Sequence, residues 1–372
     1  PSQDPPKPQY RVDETNASII ISTNSNRTLF ENFLFHLSQY PTINEYEIIV
    51  INDGGEYSIS EEQYKDLGLN CVHKIDLSEK QGYGAANNIA TQSANCDYLI
   101  FMNDDIILKP DCLEKMLSVL KRDDVSAVQP KLIYPQSNLV QSTGHIFTKF
   151  TNAHALENAH IDSRIVNKSG ERQALTTALC ATKKTSFSKM GKFSAEYYNA
   201  WEGMEYTLKL TYNGEKCWYA HEAEAYHIRG GARNQYELNE EAQSAIFWSK
   251  WSKNIKEDLH NIISAQLTSS ELSNYVVLNF SKLPNPAPIL EACGIQVDNM
   301  VSYTYISGAK SLDFFRCLPN AFCRYDADII YFTNNYTQVK NNLLWFKYEK
   351  RKNDLIIDLS GNVLSVRSLV TK

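Results

Sequence analysis

Short apolar runs rich in Ile and Val, each stopped abruptly by polar residues, recur through the first third of the chain and restrict its fold more than any other feature. Ala17-Ser18-Ile19-Ile20-Ile21 ends at Ser22-Thr23-Asn24-Ser25-Asn26, Glu47-Ile48-Ile49-Val50-Ile51 at Asn52-Asp53-Gly54-Gly55, and Tyr98-Leu99-Ile100-Phe101-Met102 at Asn103-Asp104-Asp105. Runs of this kind read as strands buried on both faces, the pattern of a parallel sheet. Helical stretches lie between them: Leu29 to Gln39, with Phe30, Phe33, Leu34 and Leu37 at helical spacing, one opening near Gly82, and one from Pro110-Asp111 through Leu120. Strand, helix and strand within about 35 residues make a βαβ unit. The alternation predicts an α/β fold, a doubly wound, mostly parallel sheet flanked by helices, with its ligand crevice beyond the carboxyl ends of the strands. Ser22, Asp53 and Asp105 all fall at such ends and are expected to converge.

Further along, Ala174 to Thr182 reads as a strand, Trp201 to Tyr212 as a helix, Lys216 to His227 as a strand pair and Glu237 to Ile263 as a helix. Beyond these, Tyr275 to Phe280, Ser302 to Ile306, Asp328 to Phe332 and Asp354 to Leu359 are strand-like, with helical patterns at Pro286 to Cys293, Leu312 to Phe322 and Val339 to Lys352. The chain of 372 residues is long enough for two domains. The expected division is a polar lead-in over 1–16, the α/β domain over 17–235, a helical connector over 236–268 and a small accessory α/β domain over 269–372.

Composition narrows the function. With 37 Lys+Arg against 43 Asp+Glu, the net charge is −6, which gives no general reason to coat phosphate backbones, so nucleic acid is not an expected partner. No apolar stretch is long enough to span a bilayer. Eight cysteines without a C-x-x-C pair read as buried thiols of a reducing compartment. Asn-x-Ser/Thr triplets, as at Asn167 and Asn279, are expected by chance in so Asn- and Ser-rich a chain.

The adjacent carboxylates of Asn103-Asp104-Asp105 repel each other at the end of a buried strand. Either a divalent cation with a bound diphosphate compensates them, or the pair is a solvated turn capping the next helix. Asp53 can accept hydrogen bonds from a ribose or base edge, with Gly54 and Gly55 allowing close backbone approach, although Asp-Gly is also an ordinary turn. Gly82-Tyr83-Gly84-Ala85-Ala86-Asn87-Asn88 opens a helix with small residues but lacks the third glycine of a dinucleotide fingerprint, so close helix–sheet packing is its simplest cause.

Taken in order, these segments resemble glycosyltransferase family 2, whose members have the GT-A fold. The likeness continues through Val128-Gln129-Pro130-Lys131-Leu132, Met190-Gly191-Lys192-Phe193, Trp201-Glu202-Gly203-Met204-Glu205-Tyr206 and Ala225-Tyr226-His227, covering about residues 17 to 230. It implies an inverting transfer of a sugar from a nucleotide-diphosphate donor to a hydroxyl of a glycan or lipid-linked glycan, with Mn²⁺ or Mg²⁺ on the diphosphate, in bacterial surface polysaccharide synthesis. It also implies a cytoplasmic site of action, including the inner face of the membrane. By the same resemblance Ser22, Asp53, Gly84, Asn88, Asn103 and Asp104 would hold the donor, and Asp105 and His227 the metal. The carboxyl-terminal region would be open to oligomer contacts or further domains.

One departure stands out. The resemblance places the general base at Gly203, and glycine cannot take a proton. Glu202 serves one residue earlier, or the chain is a catalytically weak or inactive sugar-nucleotide-binding relative, or Gly203 is a replacement that traps substrate; Glu202 is the preferred base. Trp201, Trp218, Tyr197, Tyr198 and Tyr206 are expected around it, where sugar rings could stack. Arg229 and Arg233 could engage the diphosphate or an anionic acceptor from a following loop.

Overall fold

The computed structural model describes residues 17–24, 27–137, 139–147, 152–157, 161–162, 166–198, 200–228, 237–256, 258, 275–279, 281, 283, 285–295, 300–305, 328–334, 354–365 and 368. The chain divides into two compact units, Pro1–His145 with Lys168–Lys256 and Ile146–Asn167 with Glu257–Lys372.

The first unit is built on one large sheet. Its strands are β1 (Ser18–Thr23), β2 (Glu47–Asn52), β3 (Val72–Asp76), β4 (Tyr98–Asn103), β5 (Ile106–Leu108), β6 (Val125–Ile133), β7 (Val140–Ser142), β10 (Gly170–Arg172), β11 (Leu179–Lys183) and β12 (Lys216–His227). A separate two-stranded ribbon, which but for His145 falls in the second unit, joins β8 (His145–Phe147) and β9 (Asn152–His154). The main order is β10-β12-β6-β11-β4-β1-β2-β3, with β5 paired to β12 and β7 to β6. β3, β2, β1 and β4 run parallel, β11 runs antiparallel to β4 and β6, and β12 is parallel to β6.

Alternation along the strands builds two cores. Ile19, Ile21, Ile48, Val50, Ile100 and Met102 face α1 (Arg27–Ser38) and α4 (Cys112–Leu120). Ile20, Ile49, Ile51, Leu99 and Phe101 face the other way. There they meet α3 (Tyr83–Ala90), α5 (Lys184–Lys189) and α6 (Glu202–Tyr212). Both faces are covered, so the strands need near-continuous apolar sequence. At the strand starts, the fully buried Glu47 carboxylate accepts from Ser18 Oγ and from the Asn95 backbone N–H at 2.8 Å. A charge at that depth requires such donors. A short α2 (Glu61–Asp66), with Ser60 and Gln63 forming a capping box, lies between β2 and β3.

Several expected boundaries differ, among them the strand read over Ala174 to Thr182, which is β11, Leu179–Lys183. The predicted strand pair over Lys216 to His227 is one strand with a register shift between Ala220 and Glu224; a bulge turns the strand without ending it. The long helix predicted to Ile263 is α7, Glu237–Trp251.

In the second unit β13 (Tyr275–Asn279), β14 (Met300–Tyr305), β15 (Asp328–Phe332), β16 (Leu355–Ile357) and β17 (Val363–Ser365) form a sheet ordered β14-β13-β15-β16-β17, parallel except for β17. Leu290 of α8 (Ala287–Ala292) packs with Ile330, Phe332 and Ile357. The helical patterns at Leu312 to Phe322 and Val339 to Lys352 lie outside the described residues. Cys71, Cys96, Cys112, Cys180, Cys217 and Cys293 are free thiols, while Cys317 and Cys323 lie outside the described residues. Among the described residues no helix is long and apolar enough to cross a membrane.

Phe101 of β4 joins a ring cluster with Phe193 (4.7 Å between centroids) and Phe187 (5.0 Å), closed by Tyr206 of α6. Truncation to Phe101→Ala leaves a cavity under the segment entering α6, and the expected cost is about 3–5 kcal/mol, read from the denaturant midpoint.

Candidate active site

Parallel strands deliver the polar residues to one edge. Ser22, half-buried, lies beside Ile51 of β2 and Asn103 of β4 in the sheet register. The next residue, Thr23, donates its hydroxyl to Asp104 Oδ2. Asn103 closes β4, and its backbone N–H bonds the Ala178 carbonyl at 2.8 Å.

Asp53 follows β2 and is buried at 3% exposure. Its two oxygens accept backbone amides of the turn before α3, Gln81 N–H at 2.6 Å and Gly82 N–H at 3.0 Å. The glycines allow this approach. A Cβ on Gly54 (φ 71°) would lie 2.5 Å from Lys80 N, and one on Gly82 (φ 89°) 2.2 Å from the Tyr198 carbonyl oxygen.

Asp105 and His227 meet because β5 pairs antiparallel with the end of β12, Ile106 opposite His227. Their closest approach is His227 Nε2 to Asp105 Oδ1, 3.2 Å. Oδ1 is buried and makes no hydrogen bond, so the two atoms stand close without hydrogen-bond alignment. An orphaned carboxylate oxygen beside an imidazole nitrogen is a donor set that a divalent cation can take, Mn²⁺ more readily than the harder Mg²⁺. Among the described residues no three His, Cys, Asp or Glu side chains cluster as metal ligands; two protein ligands would leave the remaining positions to phosphate oxygens and water. Residues Arg229 and Arg233 lie outside the described residues.

Glu202 opens α6 and is 3% exposed. Oε1 accepts the Ala200 N–H at 3.2 Å, and Oε2 is buried without a hydrogen bond. Burial raises its pKa to about 7, only partly offset by the backbone amides. The chain enters the helix through Ala200 (φ 82°) and Trp201 (φ 73°), two left-handed non-glycine residues, which is stored strain. Three contacts hold it: Trp201 packs on Phe247 of α7 (4.8 Å between ring centroids), Gln243 Oε1 accepts the Tyr198 N–H at 3.1 Å, and the Trp201 carbonyl accepts the Glu205 N–H at 2.8 Å. Glu205 takes Trp251 Nε1–H at 3.2 Å and lies 3.5 Å from Lys209 Nζ, so it works as a structural partner.

Gly84 and Asn88 face this same segment. Gly84 sits under Glu202 Cγ and Phe193 Cβ, both 3.3 Å from where its own Cβ would stand. Asn88 holds the Phe193 backbone from both sides, donating to its carbonyl (2.9 Å) and accepting its N–H (3.1 Å). Their visible role is to seat the Glu202 segment on α3.

Gly203 has a packing reason. A Cβ there would stand 2.0 Å from Thr177 Oγ1 and 2.6 Å from Cγ2, so the Thr177 side chain fills the space that a residue-203 side chain needs. The expected aromatic ring around Glu202 is narrower than its sequence neighbours suggested. Tyr206 and Tyr197 are buried core, and Trp218 stacks under Arg122 (4.3 Å) on the opposite face of the sheet. Trp201, the residue before Glu202, remains beside it, and the buried Tyr197 feels its charge. Thr177 and Gln141 carry no sequence signal, and Tyr83 is marked only as part of the Gly82–Asn88 segment. Tyr83 donates its hydroxyl to the Thr177 carbonyl (2.9 Å) and feels the charges of both Glu202 and Asp105.

Residues 18–183 match the family model for glycosyl transferase family 2. The chain is 24% identical over 203 residues to the O-antigen biosynthesis protein RfbC of Myxococcus xanthus, covering 50% of this chain and 15% of that protein. It is 30% identical over 108 residues to the uncharacterized glycosyltransferase YwdF of Bacillus subtilis (strain 168), covering 29% and 39%. The chain thus spans well under half the length of these relatives. Among solved structures, a mannosyltransferase of Pyrobaculum calidifontis in complex with GDP-Man and Mn²⁺ aligns with TM-score 0.47 at 14% identity over 69% of each chain.

Two stability measurements check the site. Gly203→Ala is expected to lose about 1–3 kcal/mol through overpacking on Thr177, with Gly203→Asp losing at least as much. Because folding raises the Glu202 pKa from 4.5 to about 7, the unfolded chain ionises first, and this group's contribution to stability falls as pH rises between those values, then stays level. Glu202→Gln is therefore expected to match the wild type near pH 4 and exceed it above pH 7, by on the order of 3 kcal/mol; thermal melts across that range decide.

Proposed function

Residues 18–183 match the family model for glycosyl transferase family 2, and from that premise we propose that the chain is a member that transfers a sugar from a nucleotide-diphosphate donor to an acceptor hydroxyl with Glu202 as general base. The observation that carries the reading is the Glu202 carboxyl itself: buried at the start of a helix, one oxygen without a partner, its pKa raised to about 7. A base poised near neutrality is what proton abstraction from a hydroxyl needs.

Donor binding is assigned to the strand ends, with Ser22, Asp53, Asn103 and Asp104 taking the nucleoside and ribose side. Gly84 and Asn88 belong to the same donor surface through the turn and helix they seat. Asp105 and His227 are assigned to a divalent cation, which when bound would neutralise charge developing on the departing diphosphate. Trp201 and Tyr198 offer faces to an acceptor sugar. Glu202 takes the proton of the attacking hydroxyl, and a single displacement on the side opposite the diphosphate inverts the anomeric centre. A bacterial surface polysaccharide is the proposed product class, supported by the name of the Myxococcus relative, with cytoplasmic action at or near the inner face of the membrane. The accessory region over residues 269–372 is proposed to serve acceptor handling or assembly.

The second reading, a sugar-nucleotide-binding relative without turnover, rests on glycine at the base position. The Thr177 side chain packed against Gly203 favours the first, since it makes that glycine a requirement of the packing.

A thermal-shift screen of nucleotide sugars with Mn²⁺ names the donor, because a ligand at 100 times its Kd stabilises by about 2.7 kcal/mol. With that donor, kcat/KM is expected to rise with pH up to about 7, following the Glu202 ionisation, and then level off. Glu202→Gln is expected to lose at least about 100-fold in kcat with donor Kd unchanged. Full turnover in that variant rejects Glu202 as the base, and tight donor binding without turnover in the wild type supports the second reading.

A further inference from the structure

Gln141 of β7 is buried at 2% exposure, and both ends of its carboxamide contact one residue. Its Nε2 donates to the His227 carbonyl at 3.1 Å, and its Oε1 lies in hydrogen-bond contact with His227 Nδ1. The first contact settles the amide orientation, because a flipped amide would set two oxygens against each other. An amide oxygen only accepts, so Nδ1 carries the proton. In the neutral ring Nε2 is then a bare lone pair, and Nε2 is the atom 3.2 Å from Asp105 Oδ1. That oxygen is itself buried without a hydrogen bond. Two lone pairs at this distance repel unless a positive charge stands with them.

We propose that Gln141 is a positioning residue that locks His227 in the Nδ1–H tautomer and thereby presents Nε2, together with Asp105, to a divalent cation. The proposal rests on the assignment of Asp105 and His227 as metal ligands. Gln141 touches neither substrate nor metal; it acts through His227, as partners of metal-binding imidazoles do when they fix tautomer and ring orientation. Its second bond, to the carbonyl of the same histidine, ties the ring to the end of β12.

The test has two arms, both on the full chain. In metal-free protein at about pH 9, where an ordinary imidazole is neutral, long-range ¹⁵N–¹H spectra of the His227 ring, identified by difference against His227→Asn, are expected to show Nδ1 protonated and Nε2 bare. A ring protonated at Nε2 overturns the proposal and leaves the metal assignment untouched. Calorimetric titration with Mn²⁺ is expected to give about 10–100-fold weaker binding for Gln141→Met than for the wild type, with a mixture of tautomers in the metal-free variant. Gln141→Glu, which keeps an acceptor facing Nδ1, is expected to retain the tautomer and most of the affinity. Wild-type affinity in Gln141→Met overturns the proposal alone; a wild type that binds no Mn²⁺ overturns the metal assignment and the proposal with it.

Discussion

Glu224 joins three strands. Its carboxylate lies 2.7 Å from Lys131 Nζ on β6 and 2.5 Å from Lys109 Nζ, just after β5. Burial would raise its pKa, but the two ammonium groups outweigh that and hold it below the usual carboxylate range. Lys131 is 2% exposed at its side chain, and a lysine at that depth is tolerated only with its partner in place. The pairing therefore fixes which residues of β12 stand beside β5 and β6 after the bulge between Ala220 and Glu224. A slip by one residue would reverse the faces of the strand end. With the register set, Ile106 falls opposite His227, and Asp105 is carried to the imidazole.

The opposite side of the site depends on backbone amides. Asp53 caps the turn at Gln81 and Gly82, and Gly82 packs against the Tyr198 carbonyl. Tyr83 N–H donates to that same carbonyl at 3.2 Å, and Tyr198 N–H reaches Gln243 of α7. A continuous hydrogen-bonded path thus runs from the carboxylate assigned to the nucleoside to the segment that aims Glu202. The left-handed residues Ala200 and Trp201 persist because this path, the Trp201–Phe247 contact and the start of α6 constrain them together. Asp53, assigned to the donor, and Glu202, proposed as the base, are thereby tied through one set of hydrogen bonds, and reacting groups positioned in advance need less reorganisation.

Much of the fold was legible because burial on both faces leaves a plain mark. Ile19 to Ile21, Ile48 to Ile51 and Leu99 to Met102 had to be parallel strands, and Asp53, Asp104 and Asp105 had to stand at their ends. His227 could be named from the segment that carries it. Thr177 and Gln141 could not. Thr177 is an ordinary polar residue within an apolar run and Gln141 one that opens the polar stretch Gln141-Ser142-Thr143, and the importance of each comes from the atom that long-range packing sets beside it: residue 203 for Thr177 and an imidazole nitrogen for Gln141. The same holds for the aromatic residues near Glu202. Trp218 stands on the face of β12 away from α6, and Tyr206 turns from α6 into the ring cluster against the sheet, so both part company with Trp201.

By itself the sequence determined the layers, the polar edge of the sheet and the kinds of group available there, since these follow from local periodicity and from the cost of burying charge. Tertiary structure alone decided which of those groups meet. It made a glycine at position 203 necessary, left one oxygen of Glu202 and one of Asp105 without donors, and turned a specific nitrogen of His227 toward Asp105. Such outcomes depend on contacts between residues far apart in the chain, where distances of tenths of an ångström decide whether a side chain fits or a proton has a partner.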